Sequence, residues 1–149
     1  MNWSPHAATG ALNIRDASSQ MDIQAILEDA RCDGLSGAGP LVAVRAGCPH
    51  PTATYCHEMA HVLLQHFDNL YLGPGDPLTC ICEIEAEMVA HRCLVALGME
   101  GTEACLVYIE RWYLHLGWMG WPREAVFTPW REARVERTAQ RIIQAGQGK

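Results

Sequence analysis

The sequence has a single lysine, at its last position, Lys149, and a net charge of −6. A broad lysine-rich face for nucleic acid is thereby excluded, and any DNA contact would have to be local and built from arginine. Long apolar runs are missing as well: no stretch approaches the ~20 residues that span a bilayer. The N-terminal MNWSPHAATG lacks the basic and apolar regions of a secretory signal. The seven cysteines are odd in number and irregular in spacing, so they are expected to be reduced, mostly buried thiols of a cytoplasmic protein. Cys80 and Cys82 stand too close together for a C-x-x-C metal ribbon or redox pair. No internal repeat or low-complexity segment is present.

What is there suits one folded domain over residues 1–149, with residues 1–20 expected as a loosely ordered N-terminal segment. The chain is 49% hydrophobic and 19% charged, and its 149 residues are enough to bury a core. Ser18 and Ser19 can cap a helix over MDIQAILEDAR, and GLSGAGP reads as a loop. Leu41 to Ala46, LVAVRA, reads as a strand between Pro40 and Gly47, with a weaker strand at Ala11 to Arg15. A helix is predicted from about Thr52 to Phe67, then a turn-rich loop NLYLGPGD. Asp76 and Pro77 open a long helix that Gly98 stops. Further helices are predicted over Thr102 to Leu116 and from Pro129 to Ala145. The expected class is α+β, mostly helical, with a small sheet.

Within the first long helix, YCHEMAHV (residues 55 to 62) contains His57, Glu58 and His61 in the pattern H-E-x-x-H. Residues four apart on a helix share one face, so two imidazoles there can converge on one ion, commonly Zn2+. Glu58 then stands beside the ion, where a general base for an activated water belongs. The bland alternative is a helix whose polar sector simply faces solvent.

A catalytic zinc needs a third protein ligand. On a wheel of 100° per residue His66 falls on the opposite side of the helix from His57, which excludes it. On the next helix Glu83, Glu87 and His91 form an i, i+4, i+8 stripe with the look of a solvated face. Glu85 lies among Ile81, Cys82, Met88, Val89 and Ala96, the face expected to pack inward. A buried carboxylate requires a partner or a metal. The wheel therefore favours Glu85 as ligand, against a buried ion pair with Arg92 or ligation by Glu83 or His91.

HEMAHVLLQH followed by CEIEAEMVAHRCLVALG resembles the gluzincin-type metallopeptidases of the ImmA/IrrE group, most of all their ArdC-like, antirestriction-associated relatives in phages, plasmids and actinobacteria. Glu83, Glu85, Ala86 and Ala90 match the family's E-x-E-A-x-x-x-A signature. YIERW and VERTAQRII are similar to its C-terminal helices, so the resemblance covers roughly residues 40 to 145. It implies a zincin-like fold and places the metal glutamate directly before the first alanine of the signature, at Glu85. Thermolysin-like gluzincins carry an Asp four residues after that glutamate, to orient a histidine. Counted from Glu85, that position is Val89.

The expectation is a zinc-dependent metallopeptidase acting on a protein or peptide substrate such as a repressor or regulator. His57, His61 and Glu85 hold Zn2+, and Glu58 moves the proton. Tyr113, His115 and His91 are the candidates for oxyanion stabilisation or support of the ligands, and the sequence does not choose among them. LVAVRA, if it edges the cleft, would pair with an extended substrate. The tryptophans between Trp112 and Trp130 are expected to cover the core where the C-terminal helices pack. Arg134, Arg137 and Arg141 are expected to form a solvated face. The alternative is a non-catalytic zinc-binding regulator, or an antirestriction or DNA-associated interaction protein.

Overall fold

A computed structural model describes residues 2–67 and 75–149. Most of the NLYLGPGD segment, read as a loop, lies outside the described residues. The described chain is α+β and mostly helical: α1 (Pro5–Ala11), β1 (Arg15–Asp16), α2 (Met21–Ala30), β2 (Gly34–Gly37), β3 (Leu41–Val44), α3 (Pro51–Leu63), α4 (Pro77–Leu97), α5 (Thr102–Trp118), α6 (Arg123–Val126) and α7 (Pro129–Gly146).

Four helices, α1, α3, α4 and α7, begin with proline at their first position, where a missing N–H costs nothing and φ is already helical. Three of the four also have a side-chain cap. Ser4 accepts from Ala7 N, Asp76 from Leu78 N at 2.8 Å and Thr128 from Arg131 N. Gly98, at φ 65°, closes α4 in the left-handed conformation that glycine adopts without strain. Gln20, rather than Ser18 or Ser19, precedes α2. Ser18 Oγ instead accepts from Val44 N at 2.9 Å and so ties the sheet together.

The sheet order is β1-β3-β2, with β1 parallel and β2 antiparallel to β3. This corrects two expectations. LVAVRA is the central strand, hydrogen-bonded on both sides, so it has no free edge to offer a substrate. The stretch read as the loop GLSG is the edge strand β2, pairing Gly34 with Val44 and Gly37 with Leu41. Residues 2–20 are not a loose segment either. α1 packs on α7, and Trp3 Nε1 donates to Ile142 O at 3.2 Å.

The main core joins the sheet, α3, α4 and α7 through Val42, Met59, Val89, Leu94, Val135 and Ile142, all fully buried. Each such side chain contributes ~1.5–3 kcal/mol by leaving water. A second cluster, Ile81, Ile84, Ile109, Leu116 and Val126, joins α4 to α5 and α6. α4 is thus enclosed by α3, α5 and α7, and 11 of its residues are buried on every side of the helix. Of the C-terminal tryptophans only Trp112, half-buried, packs against the second core, while Trp118, Trp121 and Trp130 are exposed.

Candidate metal centre

α3 lies against β2 and β3 on one side and α4 on the other. One turn of helix separates His57 from His61, so their rings stack edge-on with centroids 4.7 Å apart. Their Nε2 atoms lie 3.0 Å apart. Glu83 of α4 reaches both, with Oε2 at 3.2 Å from His57 Nε2 and Oε1 at 3.4 Å from His61 Nε2. Tetrahedral ligands at 2.0–2.1 Å from a zinc ion would stand ~3.3–3.4 Å from one another. Two imidazole nitrogens and a carboxylate at 3.0–3.4 Å therefore have both the chemistry and nearly the spacing of a metal site.

The structure brings His57 and His61 together as expected but replaces the third member. Glu85, the expected ligand, points away from the pair. Its Oε1 is 3.2 Å from His66 Nε2, and its Oε2 accepts from Arg134 Nε at 3.1 Å. The reason is the enclosure of α4. On a helix covered all round, an apolar flank does not identify the face that meets α3. The stripe read as solvated is the one that meets it: the side chains of Glu83 and Glu87 are 15% and 13% exposed. Arg92 is not the partner of Glu85 and pairs with Glu132 and Glu136 of α7. Arg134 faces Glu85, leaving Arg137 and Arg141 as the exposed members of the arginine sector.

Each histidine is held through its other ring nitrogen. His57 Nδ1 lies 2.9 Å from Glu87 Oε1, close enough for charge pairing although the N–H is not aligned for a good hydrogen bond. Burial opposes charge on this ring, but Glu83 and Glu87 on its two nitrogens, with Glu58 nearby, outweigh burial and raise its pKa well above the ordinary value. The Glu83 carboxyl is likewise desolvated, yet its bonds to the two histidines hold it far below the usual carboxylate range. His61 Nδ1 is 2.7 Å from His66 Nδ1. The wheel excluded His66 because it extended α3 too far. The helix ends at Leu63, and Gln65 at φ 55° swings His66 back beneath His61. Burial lowers the pKa of His66, more than its bond to Glu85 raises it.

Glu58 sits beside the pair and is buried. Its Oε2 accepts from Ser36 Oγ of β2 at 2.6 Å. Two adjoining hollows of about 570 and 520 Å³ meet at the site and share Cys32, Gly34, His57, Glu58, Glu83 and Trp112. A larger, mostly apolar hollow of about 720 Å³ lies between α5 and α6, and no histidine lines it. The cluster of His57, His61 and Glu83, not volume, marks the candidate cleft.

Tyr113, His115 and His91 do not line that cleft. Tyr113 is buried in the second core, its ring under Arg123. His115 stacks between Trp112 and Trp118, and His91 borders a hollow with Arg92 and Glu136. Tyr108, His50 and Arg31, none of them expected from the sequence, are among the polar groups that do line it. A helical wheel for α5 could have pointed to Tyr108, since it shares a face with Cys105 and Trp112, which also border the cleft.

No protein-family model matches the chain, and neither the curated proteins nor the solved structures include a match. Among the described residues no helix is long and apolar enough to cross a membrane.

Proposed function

We propose that the protein is a zinc-dependent metallopeptidase of zincin-like fold, with His57, His61 and Glu83 as the ligands of Zn2+. The observation that carries this reading is the convergence of two Nε2 atoms and one carboxylate at 3.0–3.4 Å, with the Glu58 carboxylate beside them in an open cleft. Counting from Glu83 departs from the signature's placement of the metal glutamate directly before the first alanine, but it restores an acidic residue at the second position the gluzincin pattern requires. The position four residues on is then Glu87, an acidic residue, and it lies 2.9 Å from His57 Nδ1.

His57, His61 and Glu83 would hold the zinc ion, which would supply Lewis acidity to a water and to a peptide carbonyl. The chain's residues do the rest. Glu58 takes the water's proton and passes it to the leaving amine. Ser36 fixes Glu58 through Oε2, so that carboxylate is oriented before substrate arrives. Glu87 and His66 hold the outer nitrogens of His57 and His61, turning both Nε2 lone pairs inward. β2 is an edge strand bordering the cleft, and an extended peptide can add to it by main-chain hydrogen bonds.

The test pairs metal content with cleavage. Wild-type protein should bind one zinc per chain and cut members of a peptide library digested from a denatured proteome. Glu58→Gln should keep the zinc and lose the cleavage. Stoichiometric zinc with no cleavage of any library peptide would instead favour a non-catalytic zinc-binding regulator.

A further inference from the structure

Behind the metal centre a line of polar groups runs from α3 through α4 to α7. His61 Nδ1 lies 2.7 Å from His66 Nδ1, His66 Nε2 lies 3.2 Å from Glu85 Oε1, and Glu85 Oε2 accepts from Arg134 Nε at 3.1 Å. The side chains of His61, His66 and Glu85 are 6%, 1% and 3% exposed, so water does not mediate these contacts. Arg134 is anchored in turn, its NH2 group donating to Leu64 O at 2.8 Å.

Two neutral rings in this line have two ways to place their protons. In the first, His61 carries its proton on Nδ1 and donates it to the lone pair of His66 Nδ1. The His66 proton is then on Nε2 and is accepted by Glu85. Every donor meets an acceptor, and His61 Nε2 is left with a lone pair facing His57 and Glu83. In the second, His66 donates from Nδ1 to His61 Nδ1. His66 Nε2 then sets a lone pair against the Glu85 carboxylate, and His61 turns an N–H into the metal centre. Acceptor against acceptor in a buried site is costly, so the first arrangement is selected.

We propose that Glu85, acting through His66 and anchored by Arg134, sets the tautomer of His61 so that Nε2 is the metal-binding nitrogen. Glu85 and His66 are thus positioning residues. This inference rests on the metal-site reading. It gives the buried carboxylate of the E-x-E pair a task different from its neighbour's: Glu83 meets the ion, and Glu85 prepares the ligand.

The experiment uses the full chain and zinc alone. Zinc affinity is measured by competition with a chromophoric chelator, and the tautomer of His61 is read from its ring 15N shifts in the metal-free protein. The wild type should show His61 protonated on Nδ1. Glu85→Gln keeps the shape, but its amide can turn an N–H toward His66, permitting the second arrangement. It should show mixed His61 tautomers and bind zinc ~10–100-fold more weakly, the range seen for partners behind metal ligands. His66→Phe should weaken zinc to the same extent, and His66→Gln, which can offer His61 an acceptor, should recover part of it. A wild-type His61 protonated on Nε2, or zinc affinity unchanged in both Glu85→Gln and His66→Phe, overturns the inference. Absence of zinc binding by the wild type would overturn the metal reading instead, and the ring spectra would still decide the tautomer.

Discussion

Gly34 of β2 lies directly against Glu58 of α3: a Cβ built on Gly34 would fall 2.9 Å from both Glu58 Cγ and Oε1, and 2.6 Å from Thr54 Cγ2. Only a residue without a side chain lets the edge strand approach the helix this closely, and that approach brings Ser36 within hydrogen-bonding reach of Glu58. Gly34→Ala is expected to push the carboxylate out of line while leaving the ligands in place. Cleavage, measured as kcat/KM, should fall on the order of 100-fold, with zinc stoichiometry kept and stability reduced by about 1–3 kcal/mol. Unchanged kcat/KM would mean that the position of Glu58 does not limit turnover.

Glu83 and Glu85 are two residues apart and point to different neighbours, so single substitutions separate them. Glu83→Ala removes the only carboxylate among the described residues that meets both histidine Nε2 atoms. It should lose stoichiometric zinc on dialysis. Glu85→Ala should retain zinc at high protein concentration, bound more weakly. Metal analysis of both variants settles the ligand, and the opposite pattern would return that role to Glu85.

This contrast shows how far the residue pattern reaches. HExxH located the histidine pair and Glu58 because i, i+4 geometry is local to one helix. The long capped helices were legible for the same reason: Asp76-Pro77 and Thr128-Pro129 announce their own starts. Glu83, the third member of the cluster, was not legible, because which face of α4 meets α3 is decided by three covering helices rather than by its apolar pattern. His66 was hidden by a left-handed Gln65, where counting along a helix no longer applies. β2 was hidden by its composition: GLSG carries turn residues, and one of its glycines is there for close approach rather than for a turn.

The two chain ends are locked by another close approach. A Cβ on Gly146 would collide with Trp3 Nε1, so the indole occupies the space over this glycine of α7. Gly146→Ala should therefore expel Trp3, break its bond to Ile142 O and destabilise the fold by about 1–3 kcal/mol. In the background of Trp3→Ala the same change should cost much less, because nothing then occupies the space. A double-mutant cycle from denaturant unfolding measures this coupling. Additive effects would show that the indole does not control the site.

The buried thiols make stability depend on alkaline pH. Burial, aided by the charges of Glu85 and Glu83, pushes the Cys82 thiol up to about 12. Burial, together with Glu87, does the same to Cys105, also to about 12. The unfolded chain ionises these thiols near 9, so above that pH it holds fewer protons than the folded chain. By linkage, their contribution to stability is complete below pH about 9 and is lost as pH rises from 9 toward 12. Urea midpoints should accordingly hold level up to pH ~8.5 and fall above it, and Cys82→Ala with Cys105→Ala should flatten that fall. Iodoacetamide at pH 8 gives the companion readout, since only a thiolate reacts. Exposed Cys32 should label first and half-buried Cys48 next, while Cys56, Cys80, Cys82, Cys93 and Cys105 should stay unlabelled until the chain unfolds. Rapid labelling of Cys82 or Cys105 in the native protein would show that these thiols are not held protonated by the core.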